Sequence, residues 1–343
     1  MGLLMKIFPN LPAPVYDEVF SSWAYRCSMH RRCSTYANAA LHAQPDWKVN
    51  GNITNTEDPD FDFETVFFHK ACHVLNIQEA SARYLFRPLS DDLVDWDRRV
   101  WFCPQCLRSD VQAGRLPAWR KNWCYDTFVF CSIHLVEPIR LEARPGCEKA
   151  WDAFVQICNK QDLSTQWGGK RYVELRHLYL TRIERWLKLR RGVGGERAVE
   201  YSLYKKLYRV FLFLPTRQAD SGGVARTLFF NARRVQNFSS LLTFQENLHL
   251  GPQLSDPASR LGSAMLLAVL LGVVPETQMS PFIRYCEQAN AYFPPLVGLE
   301  HAIYLGSLSP NEYNYLCEYL GEFCHGCWPR LEKFMAIQKR LYR

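Results

Sequence analysis

The residues most able to do chemistry sit in one stretch, "WFCPQCLRSDVQAGRLPAWRKNWCYDTFVFCSIH", from Trp101 to His134. Within it Cys103-x2-Cys106 and Cys131-x2-His134 form two clasps 24 residues apart. Each clasp is short enough to be one tight turn that aims two side chains at a single ion. Three thiolates and an imidazole suit tetrahedral zinc, with Zn–S near ~2.3 Å and Zn–N near ~2.0 Å. Four protein ligands leave no coordination position for water or substrate, so the ion expected here is structural and not catalytic.

Other chemistry lacks its signature. No histidine is followed two residues later by glutamate, as a zinc deaminase needs. His-Glu-x2-His, a Gly-x4-Gly-Lys-Ser/Thr loop and Gly-x-Gly-x2-Gly are all missing from the 343 residues. A nuclease built on scattered carboxylates leaves no fixed spacing and stays open as a third reading.

The thirteen cysteines are an odd set. The opening "MGLLMKIFPNLPAP" is broken by Lys6 and prolines before it reaches the length of a signal's apolar core. A cytoplasmic protein with reduced thiols is therefore expected, and clustered cysteines point to metal before disulfides. The longest apolar run, Leu261–Val274, is too short to span a bilayer and contains two glycines, so it reads as a buried helix. Membranes are not expected among the partners.

Around these residues the pattern is mainly α. Val19, Phe20, Trp23, Ala24 and Cys27 recur at one-face helical spacing, with Asp17 as the expected cap. Ser34–Leu41 reads as a second short helix and Gln44–Asp60 as a loop. In "FFHKACHVLNIQEASARYLF", Phe68, Cys72 and Leu75 share a face, Asn76 suits a left-handed turn, and Ala82 and Leu85 return a second helix. That is helix-turn-helix spacing, in which Gln78, Glu79, Ser81 and Arg83 would face a DNA groove. Two packed helices that touch no DNA give much the same pattern.

Helical stretches follow at Tyr172–Arg191, Ser202–Leu212, Ser263–Leu271, Pro281–Ala291 and Pro310–Arg343. "RRGVGGER", "PTRQADSGGVAR" and "LHLGPQLSDPASR" read as hinges, and strand signal is confined to short runs such as Phe128–Cys131. The expected organisation is a helical N-terminal domain (1–99), a zinc-stabilised knuckle subdomain (100–145) and a basic helical C-terminal domain (146–343).

The net charge of +7 is concentrated, because Arg182 to Arg209 holds nine Lys/Arg against three glutamates. Arg185, Lys188, Arg190, Arg191, Lys205 and Lys206 lie there beside Trp186, Tyr201, Tyr204 and Tyr208. Cations interleaved with aromatic rings suit nucleic acid; a solvated helix face is the alternative.

The clasp residues also carry a resemblance. Phe102, Cys103, Pro104, Cys106, Leu107 and Asp110, then Arg120 and Trp123, then Cys131, His134 and Leu135 resemble the TniQ family of transposition targeting proteins. Asp17, Glu18, Ser22, Trp23 and Arg26 resemble that family's opening segment, about 80 residues upstream. The resemblance covers roughly residues 10–150. It implies a non-catalytic adaptor, cytoplasmic and nucleoid-associated in a bacterium. Such an adaptor links attachment-site DNA or a CRISPR Cascade complex to an AAA+ ATPase regulator and, indirectly, to the transposase. It also admits a homodimer. Many relatives carry a second zinc knuckle, but here only Cys147 and Cys158 follow, without a Cys-x2-Cys, so one Zn2+ is expected. A stand-alone zinc-stabilised transcriptional regulator is the alternative function.

Overall fold

The computed structural model describes residues 10–30, 57–90, 92–160, 170–190, 196–212, 243–288, 309–320 and 328–341. The chain falls into two compact units, Met1–Thr165 and Gln166–Arg343. Both are mainly helical, as the sequence pattern requires.

The first unit is built on two cores. In the first, α1 (Phe20–Ser28) buries Phe20, Trp23, Ala24 and Cys27 against Phe68, Ala71, Cys72 and Leu75 of α2 (Val66–Leu75). Ala82 and Phe86 of α3 (Glu79–Phe86) complete it. Ring centroids of Phe20 lie 4.9 Å from Phe68, in a tilted pair, and 5.4 Å from Phe86, in an edge-to-face one. The Thr65 hydroxyl caps α2 by accepting from the Phe68 N–H. Asn76 ends α2 in the left-handed conformation (φ 53°, ψ 52°), and α3 starts three residues later. The turn thus forms as its spacing requires.

The second core surrounds the clasps. Strand β1 (Trp101–Phe102) pairs antiparallel with β2 (Ile139–Arg140), Trp101 opposite Arg140 and Phe102 opposite Ile139. Between them come α4 (Pro104–Gln112) and a 3-10 turn at Lys121–Cys124. Phe102, Leu107, Trp119, Trp123, Phe128 and Leu141 fill this core, and α5 (Lys149–Asn159) adds Ala150, Ala153 and Ile157. Because α5 belongs to this core, the units part at 165/166, later than the 145/146 boundary expected from sequence.

Three local expectations are corrected. Asp17 does not cap α1: its φ is 62°, and its carboxylate accepts from the Asn122 N–H at 3.0 Å. Val19 holds the cap position, with no side-chain bond. Phe128–Cys131 is not a strand: all four side chains are buried, Phe128 and Cys131 in the core around the clasps, and the chain turns immediately into the knuckle. "LHLGPQL" is not a hinge but part of a helix, broken only at Ser255–Asp256. The expected helix Ser34–Leu41 lies outside the described residues, as do "PTRQADSGGVAR" and most of "RRGVGGER".

In the second unit, α6 (Lys170–Lys188) and α7 (Glu196–Phe211) both pack on α9 (Pro257–Leu270). Leu261 to Leu271 are buried throughout, which is why α9 is apolar all round. α8 (Phe244–Leu254) opens with a reciprocal capping box between Thr243 and Glu246 and packs on α7. α10 (Ser280–Gln288), α11 (Pro310–Leu320) and α12 (Pro329–Leu341) complete the described helices. No described helix is long and apolar enough to cross a membrane.

Candidate metal centre

Cys103, Cys106, Cys131 and His134 come together, their ligand atoms all within 4.8 Å of one another. Among the described residues this is the one such group. Local structure explains the convergence. Cys103 is the N-cap of α4 with Pro104 at the first helical position, so Cys106 follows one turn later on the same side. Opposite, the Cys131 N–H donates to the Val136 carbonyl, and the Leu135 N–H returns to the Cys131 carbonyl at 2.8 Å. Leu135 sits at φ 54°, a left-handed conformation that a leucine rarely adopts and that the tight knuckle imposes. The β1–β2 pair fixes the distance between the two turns.

The geometry fits a tetrahedral cation. His134 Nδ1 lies 3.6, 3.2 and 3.6 Å from the sulfurs of Cys103, Cys106 and Cys131, and the Cys106 and Cys131 sulfurs are 3.6 Å apart. A zinc tetrahedron has S···N edges near ~3.6 Å and S···S edges near ~3.8 Å. The three cysteines are buried and His134 is half-buried. The thiols answer to one another: hydrogen bonds from Cys103 and Cys106 hold Cys131 down at about 2. Cys106, bonded to both partners and buried, is pushed up. At Cys103 a bond from Cys106 lowers the thiol, yet the bond to Cys131 and burial prevail and leave it at about 12. Three thiolates here need a positive charge among them, which a divalent ion supplies.

Two buried charge networks hold the centre in place. In the first, Glu18 accepts from Arg26 at 2.6 Å, from the Val15 N–H at 2.8 Å and from the Ser22 hydroxyl at 3.1 Å. Ser22 accepts in turn from the Trp119 N–H at 2.9 Å, and the Val19 N–H donates to the Trp119 carbonyl. Arg120 holds both oxygens of Asp110 at 2.7 Å, and Asp110 also accepts from the Ala118 N–H. Burial pushes the Glu18 carboxyl up against the pull of Arg26. The segment at Asp17–Arg26 and the clasp segment, separate in sequence, are therefore one structural unit.

In the second network, Asp60 is fully buried and meets Lys149 at 2.8 Å, Arg99 at 2.9 Å and the Ser21 hydroxyl at 2.5 Å. Arg99 also forks onto Asp58 at 2.5 and 2.7 Å. The Lys149 ammonium lies 3.5 Å from the Trp96 ring centroid. Burial alone would raise Asp60, but Lys149 and Arg99 outweigh it and hold the carboxyl below its usual range. Sequence reading missed this network, since its members are scattered from Ser21 to Lys149. The one available sign was the three aspartates set among proline and phenylalanines in "DPDFDF".

The residues expected at nucleic acid are placed less uniformly. Gln78 is exposed just before α3, and Ser81 is half-buried. Arg83 is held by Glu64 and Glu79 and lies over the Phe68 ring. Arg185 and Lys188 are exposed on the last turns of α6. Arg190 bonds Glu200 and covers Trp186 at 3.9 Å. Lys205 lies over Tyr201, and Lys206 over Tyr319 with a bond to the Leu320 carbonyl at 3.5 Å. Arg191 lies outside the described residues.

A family model described as TniQ matches residues 9–137, the segment that contains α1 to α4, both clasps and the Glu18–Arg120 junction. No curated protein and no solved structure matches the chain. The chain carries the TniQ-family domain, over residues 9–137.

Proposed function

We propose that this protein is a non-catalytic targeting adaptor for DNA transposition, joining a target-recognition element to an AAA+ regulator and, through it, to the transposase. The observation that carries this reading is the TniQ domain built around a four-ligand centre with no open position. Zn2+ is the ion that three sulfurs and one imidazole at these spacings suit, and Cys103, Cys106, Cys131 and His134 would hold it. When bound, it supplies cross-linking between α4 and the knuckle, not a reactive water. The residues of this chain do the rest by presenting a rigid surface.

Sequence reading of the target is proposed to come from a partner such as an RNA-guided Cascade complex. Arg83, the one cation within α3, is already held by two carboxylates, which leaves that helix poorly equipped for a DNA groove. The exposed Arg185 and Lys188 would add phosphate contacts that carry affinity without sequence information.

A reconstituted transposition assay tests the adaptor role. Leaving this chain out should abolish targeted insertion while transposase joining of pre-cut ends persists; targeted insertion at an unchanged frequency would refute it. Titration against random duplex and a candidate attachment site, at two salt concentrations, tests the rest. Weak, unselective, salt-sensitive binding supports partner reading, and tight selective binding assigns reading to the chain itself.

A further inference from the structure

The metal centre has a feature outside its four ligands. Ser109 lies on α4, three residues after Cys106 and hence on the same side of the helix. Its hydroxyl oxygen stands 3.3 Å from Nε2 of His134, the ring nitrogen that faces away from the sulfurs. Nδ1 is the nitrogen among the sulfurs, at 3.2 to 3.6 Å. An imidazole that offers the Nδ1 lone pair to a cation must carry its proton on Nε2. The Nε2–H then needs an acceptor, and the Ser109 oxygen is placed to be one.

We infer that Ser109 is a positioning residue for the metal centre, accepting from the Nε2–H of His134 and so committing that ring to bind through Nδ1. The inference rests on the zinc reading given above. Turning the ring over would place carbon atoms against both the sulfurs and Ser109, so the hydroxyl selects the ring's orientation as well as its tautomer. Among the four ligands His134 is the one that is not fully buried, which makes it the corner at which an ion enters or leaves. A group that steadies this ring acts on ion release more than on the fold.

The test uses the full zinc-loaded chain. Ser109 is exposed and alanine is the better helix former, so Ser109→Ala should fold normally. Competition with a chromogenic chelator should show zinc affinity about 10-fold weaker in Ser109→Ala, at the low end for outer partners of metal-bound histidine. Ser109→Thr, which keeps the hydroxyl, should restore it. Nitrogen-15 spectra of the wild-type imidazole should show Nδ1 bound to metal and a protected Nε2–H, with the protection lost in Ser109→Ala. Equal zinc affinity and equal Nε2–H protection in the wild type and Ser109→Ala would overturn the role of Ser109 alone. A wild-type chain that takes up no zinc would overturn the zinc reading and this inference together.

Discussion

The two units place much of their charge differently, although each buries some, Arg260 in the second included. In the first, Glu18, Arg26, Asp60, Arg99, Asp110, Arg120 and Lys149 are all buried and in ion pairs, Glu18 with Arg26, Asp110 with Arg120, and Asp60 with Arg99 and Lys149. In the second, Arg185 and Lys188 are exposed on α6, while Arg190, Lys205 and Lys206 lie along tyrosine and tryptophan rings. The contrast bears on what the family pattern records. Of the residues that carry it, Glu18, Ser22, Trp23, Arg26, Phe102, Cys103, Leu107, Asp110, Arg120 and Trp123 are all buried. They define a fold and a metal clasp. Asp17, His134 and Leu135 of that pattern are only half-buried, so what the pattern mainly records is packing and ligation.

The sharpest way to break the contrast is to remove a ligand. Cys103→Ser or Cys131→Ser should unfold the first unit, because metal binding is folding free energy, on the order of 10 kcal/mol in small zinc domains. A chelator should do the same to the wild-type chain. Limited proteolysis should then cleave 10–160 while sparing the helices of the second unit. A variant that loses zinc yet keeps its thermal transition would sink the idea that the clasp holds the core.

Next in size is the buried charge. Asp60→Asn leaves Lys149 and Arg99 without their shared carboxylate and should cost about 3–5 kcal/mol, read from denaturant unfolding. The same carboxyl sets a pH dependence. Its folded pKa is lowered, so its stabilisation is complete above the usual carboxylate value and fades as pH falls through the lower folded value. Glu18, whose pKa is raised by burial, acts in the opposite sense: its protonated form is favoured in the fold, so its contribution is lost as pH rises through its folded value. The difference between wild-type and Asp60→Asn transition temperatures should therefore shrink on acidification. A constant difference down to pH 3 would argue against the buried pairing.

A smaller effect belongs to the turn. Asn76→Ala forces a side chain without a polar group into the left-handed region and should cost about 1 kcal/mol, whereas Asn76→Gly should be nearly neutral. Equal losses for both would mean that the asparagine side chain, not the backbone, holds the α2–α3 turn.

The sequence disclosed these features unequally, for physical reasons. Periodicity placed α1, α2 and α3 because each buries one stripe, and Asn76 marked the turn because few residues tolerate its conformation. The clasp was legible because two ligands on one knuckle must be close in sequence. Asp17 was misread because a cap and a left-handed loop acid look alike without their partners, here Asn122. Phe128–Cys131 was misread because an apolar run signals burial but not direction. The Asp60 and Glu18 networks join residues as far as 89 and 97 positions apart through Lys149 and the Ser22–Trp119 bond, a distance over which local patterns are silent. Ser109 needed only helical spacing from Cys106, yet its role depends on where His134 turns its outer nitrogen.

The least disruptive change sharpens the contrast most. Arg185→Glu and Lys188→Glu replace exposed side chains on the last turns of α6, so stability should move by no more than about 0.5 kcal/mol apiece. The carbonyl end of a helix favours cations, so a small loss and not a gain is expected. If the two side chains meet phosphates, the double variant should bind duplex more weakly at every sequence. Its slope of log affinity against log salt should fall by about 0.9 per contact removed. Arg190 makes a poorer probe, because it bonds Glu200 and covers Trp186, so reversing it disturbs packing and binding together. Lost affinity with an unchanged slope would mean that the two side chains support the binding surface without meeting phosphates themselves. Unchanged binding at both salt concentrations would make this end of α6 a solvated surface and leave nucleic-acid contact to other residues.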